Sequence, residues 1–230
     1  MSSGQFFSNK KLSLLIFLTS ISAGLVLLSN IAAGKLWDFF GIAVDGGIIC
    51  FPLTYILGDL IVEHFGEKTS KSIVYFSALF NILSIFVLWG VIALPAYPGW
   101  DAQDAFATTL GFTPRIIFGS LTSFILSNIA NIFIFDKLKN YSKNHPTKNK
   151  KFGKIFSKSY IARAIGSSVV AHLIDSLIFE TIAFLGVLSF PEFLAQAAFA
   201  YVAGLAIEIA LSPISSIISK QCGKYIAETK

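Results

Sequence analysis

Long apolar runs, separated by short polar segments, dominate the pattern along this chain. Three of the runs contain no Asp, Glu, Lys or Arg, and they cover residues 12–34, 72–100 and 116–135. A helix needs about 20 largely apolar residues to cross ~30 Å of hydrocarbon. These three runs therefore predict membrane-spanning helices.

Three further runs are apolar except for isolated acids and one histidine. They complete a prediction of an all-α polytopic membrane protein with six transmembrane helices. The predicted spans cover residues 12–34, 42–62, 72–95, 115–135, 163–188 and 193–219. We expect residues 1–230 to form a single transmembrane domain, with the external segment 95–114 as a short re-entrant or interfacial cap.

Composition excludes the main alternatives to a membrane protein. Of 230 residues, 54% are hydrophobic and only 13% are charged, against about 25% charged residues in ordinary soluble domains. A soluble protein of this size could not cover so much apolar surface. The composition therefore excludes a soluble globular domain, a disordered chain and a disulfide-rich secreted module.

The basic residues predict the orientation of the helices. With six crossings, 16 of the 18 Lys and Arg residues fall on one side, and only Lys35 and Arg115 fall on the other. The positive-inside rule then places both termini in the cytoplasm, an N-in/C-in topology. Residues 136–160 become a basic cytoplasmic loop, and the net charge of +5 needs no nucleic-acid partner.

Acids inside the spans are the strongest functional signal. Asp175 and Glu208 fall near mid-helix, where a charged side chain costs roughly 2.5–3.5 kcal/mol on insertion scales. Such residues must face the bundle interior, so we expect both to face a hydrated vestibule. The alternative is a structural pair that fixes helix packing. Glu180 is nearer the outer end, where we expect partial hydration.

Helical spacing groups these acids with other polar side chains. One stripe on the fifth span contains Ser168, His172, Asp175 and Phe179, and a second on the second span contains Tyr55, Asp59 and Glu63. Carboxylates accept paired N–H donors well, and rings offer a stacking face. This chemistry suits a small planar solute such as a guanine-like base, although an amine or a vitamin also fits.

Other features of the spans favour structural roles. The amides of Asn81, Asn128 and Asn131 are predicted to form hydrogen bonds between helices. Ser168 and His172 lack the turn of a serine nucleophile, and no phosphate-binding loop, zinc motif or dinucleotide fingerprint is present. We therefore predict a protein that is not an enzyme, with no catalytic residue, cofactor or metal site.

The chain resembles the queuosine-precursor transporter family, also catalogued as vitamin uptake transporters. The segment 51–66, FPLTYILGDLIVEHFG, is similar to the family hallmark Phe-Pro-x-x-Tyr-x-x-x-Asp-x-x-x-Glu-x-x-Gly. The run 163–168 with Asp175 and Phe179 looks like a second motif. Glu208 followed by Pro213 looks like a third motif. Asn30 and Lys35 together resemble the family's signature in the first helix.

The resemblance implies an importer in the bacterial inner membrane. Its substrates would be the 7-deazaguanines preQ0, preQ1 or queuine, salvaged for the tRNA nucleoside queuosine, and its surroundings the lipid bilayer. Asp175 or Glu208 would hold the donor edge of the base, and Phe179 or Tyr55 would stack on it. The substrate path would include Asn30, Tyr55, Asp59, Glu63, Arg163, Ser168, Asp175 and Glu208.

The chain departs from the family pattern at two positions. His172 stands where a Gln is common, and Gly204 stands where a Lys is common. Without that cation, Glu208 is expected to pair with a positive group on the substrate or to be protonated, and His172 is either a proton carrier or a satisfied core histidine. Asp59 and Glu63, with Arg163 on the same side, are alternatively an inner gate.

Two other functions stay open from the sequence. One is the substrate-binding membrane subunit of an ATP-driven vitamin importer, which also has six helices and no ATPase motif. The other is a structural or assembly membrane protein without a solute. The sequence also leaves open whether the protein forms a homo-oligomer.

Overall fold

Helices dominate the computed structural model, which describes residues 10–111, 114–144, 159–186 and 189–227. The described chain contains seven α-helices and one β-hairpin. In chain order these are α1 (Lys10–Ala33), β1 (Leu36–Phe39), β2 (Ile42–Asp45), α2 (Phe51–Phe65), α3 (Glu67–Ile92), α4 (Gln103–Leu110), α5 (Pro114–Asn144), α6 (Tyr160–Phe184) and α7 (Phe190–Ala227). A 3-10 turn, Gly46–Ile49, joins β2 to α2.

Six of these helices, counted over the described residues, are long and apolar enough to span a membrane. They are α1, α2 with its preceding 3-10 turn, α3, α5, α6 and α7. The prediction of a mostly helical, multi-pass membrane protein is confirmed. Large apolar side chains such as Phe76 and Phe86 on α3 are exposed, as expected for helices surrounded by lipid.

Local sequence explains where α2 begins and ends. Pro52 lies in the first turn of α2, where a missing N–H group breaks no helical hydrogen bond. The helix ends at Gly66, whose φ of +87° is accessible to glycine without a steric penalty. A new helix, α3, begins directly afterwards with Glu67 in its first turn, where a negative charge is favourable.

The predicted start of the second span was wrong. Residues 42–45 form strand β2, which pairs antiparallel with β1 in the register Leu36↔Asp45 to Phe39↔Ile42. The two-residue turn consists of Phe40 at φ 53° and Gly41 at φ 86°, the left-handed conformation that tight hairpins require. Hydropathy alone did not separate this short apolar strand from the helix that follows.

The other span boundaries differ by smaller amounts. Residues 136–144, predicted as the start of the basic loop, continue helix α5, and residues 145–158 of that loop lie outside the described part. The segment 95–114, which was predicted to be external, contains the short helix α4. Helix α7 runs through Pro213 without ending.

The apolar core lies between α2, α3, α5 and α6. Buried side chains from these helices form one cluster that includes Leu60, Val74, Phe124 and Phe135. We call the end of the bundle with the hairpin and α4 the hairpin end. The opposite end, where α2 ends and α6 begins, is called the basic end. The two ends differ in the charged side chains that they carry.

Candidate functional site

A cavity of about 240 Å³ lies at the hairpin end of the bundle. Its walls come from every described element except β1: the end of β2, the 3-10 turn and all seven helices each contribute at least one lining residue. This volume is below the range of about 300–1,000 Å³ for typical ligand pockets, so the cavity suits a small solute. Of the predicted site residues, those that line it are Asn30, His172, Asp175 and Phe179.

The Asn30 amide links three of the walls. Its Nδ2 donates to Asn81 Oδ1 on α3 at 2.7 Å, and its Oδ1 accepts from Ser120 Oγ on α5 at 2.6 Å. This confirms the prediction that Asn81 joins two helices. Asn128, by contrast, donates to the carbonyl of Phe124 within its own helix, so its predicted interhelical role was wrong.

Three carboxylates line the cavity. They belong to Asp175 and Glu180 on α6 and to Asp45 at the end of β2. Oδ1 of Asp175 and Oε2 of Glu180 are buried without a hydrogen-bond partner among the described residues. No lysine or arginine is among the described residues that line the cavity. The cavity is therefore acidic and contains unused hydrogen-bond acceptors.

Two of these acids were not predicted as site residues. Glu180 was expected to be partly hydrated, but it is 1% exposed. Asp45 was assigned to the interior of a span. It instead ends β2, where its Oδ1 accepts from the Gly47 N–H at 2.8 Å. The hairpin that brings it there left no clear signal in the hydropathy pattern.

Two features of the environment of Asp45 have opposite effects on the ionisation of its carboxyl group. Burial raises the pKa of this carboxyl group above its ordinary value, although hydrogen bonds from backbone N–H groups, including those of Gly47 and Ile48, act in the opposite direction. A carboxylate that has lost part of its hydration gains more from a nearby positive group than an exposed one does.

A buried polar cluster lies directly behind the cavity wall. His172 Nε2 lies 2.9 Å from Glu208 Oε2, and the Ser168 hydroxyl donates to Glu208 Oε1. Glu208 is 1% exposed and is not among the described residues that line the cavity. The expectation that both Asp175 and Glu208 face one vestibule was therefore wrong for Glu208, because its two oxygens bind neighbours on α6.

Tyr55 belongs to this buried cluster and does not line the cavity. Its ring centre lies 4.5 Å from that of His172, and its hydroxyl donates to Ser127 Oγ at 2.9 Å. Of the two rings predicted to stack on a solute, only Phe179 is therefore in position.

Gly204 on α7 provides the space that the imidazole occupies. A Cβ atom at this position would lie 2.8 Å from Nδ1 of His172, closer than real Cβ contacts. Residues 172 and 204 are thus packed against each other, and a larger residue at 204 would not leave room for this imidazole.

Gly204→Ala is expected to destabilise the protein by about 1–3 kcal/mol, because overpacking forces His172 out of place. Gly24→Ala is the matched control, since its Cβ would meet nothing within 4 Å, and alanine in a helix is favoured over glycine by about 0.5–1 kcal/mol. Thermal unfolding of the purified variants checks this pair. Equal melting temperatures for the two variants would contradict the packing described here.

Polar side chains on α2 and α5 form hydrogen bonds with each other between the cavity and the basic end. Tyr55 and Asp59 on α2 bind Ser127 and Asn131 on α5, each pair 72 residues apart. The Asn131 Nδ2 donates to Asp59 Oδ1 at 2.7 Å, which confirms the predicted interhelical role of Asn131.

An ion pair closes the bundle at the basic end. Arg163 Nη2 donates to Glu63 Oε2 at 2.8 Å, and Lys139 Nζ lies 3.5 Å from the same oxygen. Lys139 also donates to the carbonyl groups of Val62 and Glu63 at the end of α2. The predicted proximity of Arg163 to Glu63 is confirmed, and Asp59 pairs with Asn131 instead.

The predicted site residues thus form three layers rather than one site. Four line the cavity at the hairpin end. Tyr55, Ser168 and Glu208 lie behind its inner wall, and Asp59, Glu63 and Arg163 follow toward the basic end. The described residues contain no group of three or more His, Cys, Asp or Glu side chains that could hold a metal ion.

Six apolar helices around a small, mostly apolar cavity with three acids in its lining define a multi-pass membrane protein with a solute-sized site. The chain belongs to the family described as "Putative vitamin uptake transporter", whose model matches residues 45–218. This confirms the family resemblance noted from the sequence motifs.

A curated relative narrows the comparison. The chain is 26% identical over 163 residues to a "Probable queuosine precursor transporter" from Bacillus subtilis (strain 168). The aligned region covers 69% of this chain and 64% of the relative. No solved structure matches the chain significantly.

Proposed function

We propose that this protein imports a 7-deazaguanine precursor of queuosine, namely preQ0, preQ1 or queuine, across the bacterial inner membrane. The name of the Bacillus subtilis relative supports a queuosine precursor as the substrate. The observation that carries the proposal is the buried, unpartnered Oδ1 of Asp175 in a cavity that also contains the Phe179 ring.

The geometry suits the edge and the face of a guanine-like ring. The ring presents two parallel donors, N1–H and the exocyclic amine, which a carboxylate accepts in bidentate fashion. We assign Asp175 to this edge, and we assign Phe179 to stacking on the ring face. Asn30 is assigned to a remaining polar atom of the base.

Transport requires a second opening at the basic end. We propose an N-in/C-in orientation, so that the cavity lies on the outer side and the Glu63–Arg163 pair forms a closed inner gate. Movement of the cluster of Tyr55, Ser168, His172 and Glu208, together with separation of Glu63 from Arg163 and of Asp59 from Asn131, would open a path inward. This is an alternating-access mechanism.

Uptake in living cells tests the proposal. Expression in a bacterium that can neither make nor import queuosine precursors is expected to restore queuosine in tRNA when preQ0, preQ1 or queuine is supplied. The measurement is the queuosine content of the tRNA, compared with cells that contain the empty vector. Failure with all three bases would contradict the proposal.

Reconstitution separates a solitary carrier from a subunit of an ATP-driven importer. The purified protein in liposomes is expected to accumulate or exchange a labelled deazaguanine without any other protein. Binding without transport would favour the importer subunit. If no base binds or crosses the liposome membrane, a structural role is favoured.

A further inference from the structure

We propose that the cavity binds the positively charged form of its solute, with a protonated amine held between Glu180 and Asp45. This inference rests on the proposed function and specifies the charge of the substrate. Neither residue was assigned a role in that function, in which Asp175 accepts the edge of the base.

The cavity lining contains more negative than positive groups. Three carboxylates line the cavity, and no described lining residue is a lysine or an arginine. The nearest lysine along the chain to Asp45, Lys35, has an exposed side chain. The two parallel donors of a neutral base bind one carboxylate, that of Asp175. Such a base therefore leaves Glu180 and Asp45 without a positive partner.

Glu180 is a buried acid with an unused acceptor. Its side chain is 1% exposed, it lines the cavity, and its Oε2 has no hydrogen-bond partner among the described residues. Buried carboxylates without partners are costly, so structures retain few of them without a functional reason. An acceptor of this kind beside an empty volume indicates a donor that arrives with the solute.

The three acids share one cavity. Asp45, Asp175 and Glu180 all line it, so their negative charges repel one another when ionised. The described residues provide no group of three ligands that could hold a metal ion. An organic cation fits better, because it needs only two carboxylates and donates hydrogen bonds to both.

The queuosine precursors differ in whether they carry a positively charged amine. All share the deazaguanine ring, but preQ1 carries a protonated aminomethyl group, queuine carries a protonated secondary amine, and preQ0 carries a neutral nitrile. With the ring edge on Asp175, a substituent on the opposite part of the base extends toward other cavity walls. The proposal therefore predicts a preference for preQ1 and queuine over preQ0.

Binding to the purified full-length protein in detergent tests this preference. A charge-assisted hydrogen bond contributes enough that preQ1 is expected to bind at least ~10-fold more tightly than preQ0. Glu180→Gln is expected to reduce this ratio to near one by weakening preQ1 and leaving preQ0 almost unchanged. Retained preQ0 binding also shows that the variant is folded.

Two further variants complete the design. Asp45→Asn retains an N-cap residue for the 3-10 turn and is expected to lower the ratio in the same direction as Glu180→Gln. The control is Asp101→Asn, since Asp101 is exposed in the segment before α4 and lies outside the cavity lining. It is expected to leave the ratio unchanged.

The outcomes separate the two proposals. If wild-type protein binds preQ0 as tightly as preQ1, or if Glu180→Gln and Asp45→Asn weaken both bases equally, the amine site is refuted while the import of deazaguanines stands. If preQ0, preQ1 and queuine all fail to bind, the proposed function is refuted, and the amine site with it.

Discussion

Asp175→Asn is expected to reduce uptake at least ~100-fold, because two charge-assisted hydrogen bonds to the ring edge are lost together. The substitution keeps the size of the side chain but replaces one acceptor with an NH₂ donor, which meets the donors of the base. The Oδ1 atom concerned has no hydrogen-bond partner among the described residues. The carboxyl group also interacts with the hydroxyl groups of Ser123 and Ser127, and Asn keeps one oxygen that can accept from them, so the surrounding packing should stay intact.

Uptake of a labelled deazaguanine, normalised to the amount of protein in the membrane, measures this effect. Asp101→Asn is the matched control, since it removes the same charge from an exposed position outside the cavity lining. Wild-type uptake by Asp175→Asn would mean that Asp175 is structural and that the cavity does not hold the ring edge as proposed.

Breaking the Glu63–Arg163 ion pair is expected to have the second largest effect. The Arg163 side chain is 5% exposed and that of Glu63 is 22% exposed, so Glu63→Gln leaves a buried guanidinium without this carboxylate. Removing one partner of a buried pair typically costs about 3–5 kcal/mol. Both single variants, Glu63→Gln and Arg163→Gln, should therefore melt at much lower temperatures than the wild type.

The double variant separates stability from gating. Replacing both charges of a buried pair is often close to neutral for stability, so Glu63→Gln with Arg163→Gln is expected to recover most of the lost melting temperature. Uptake should stay low, because the gate has lost the interaction that closes it. Full uptake by the double variant would show that the pair contributes only to packing.

The chain offers a matched control for this pair. Glu67 and Lys71 form an ion pair at 2.5 Å with side chains about one-third exposed. Exposed pairs contribute only about 0–1 kcal/mol. Glu67→Gln is accordingly expected to change neither the melting temperature nor uptake appreciably, as measured in the same assays.

The helices were predictable from sequence because each apolar run is long and its composition alone identifies a span. The hairpin was not, because its strands have four residues each and Ile42–Asp45 adjoins an apolar helix. Its turn depends on the backbone conformation of Phe40 and Gly41, which a hydropathy pattern does not record.

Part of the site was predictable because helical spacing shows which side chains share a face. Spacing identifies side chains on one face of a helix, and the stripe of His172, Asp175 and Phe179 does line the cavity. Spacing does not give the rotation of one helix against another. That rotation turns Glu208 toward Ser168 and His172 and away from the cavity lining.

The burial of Glu180 was unpredictable for the same kind of reason. Glu180 lies close to the predicted outer end of its helix, and this position suggested contact with water. The cavity wall at that end, however, also includes the end of α4 and the turn after β2. These segments come from distant parts of the sequence, and their arrangement follows from tertiary packing.

Protection of a single cysteine tests most directly whether the cavity receives the solute. With Cys50 and Cys222 replaced by serine, Ser176→Cys places a thiol in the cavity lining, and Asp101→Cys places one outside it. In cells treated with a membrane-impermeant thiol reagent, preQ1 or preQ0 at ten times its Kd should slow labelling of Ser176→Cys ~10-fold. Labelling of Asp101→Cys should be unchanged. Equal labelling rates at Ser176→Cys with and without either base would contradict the account.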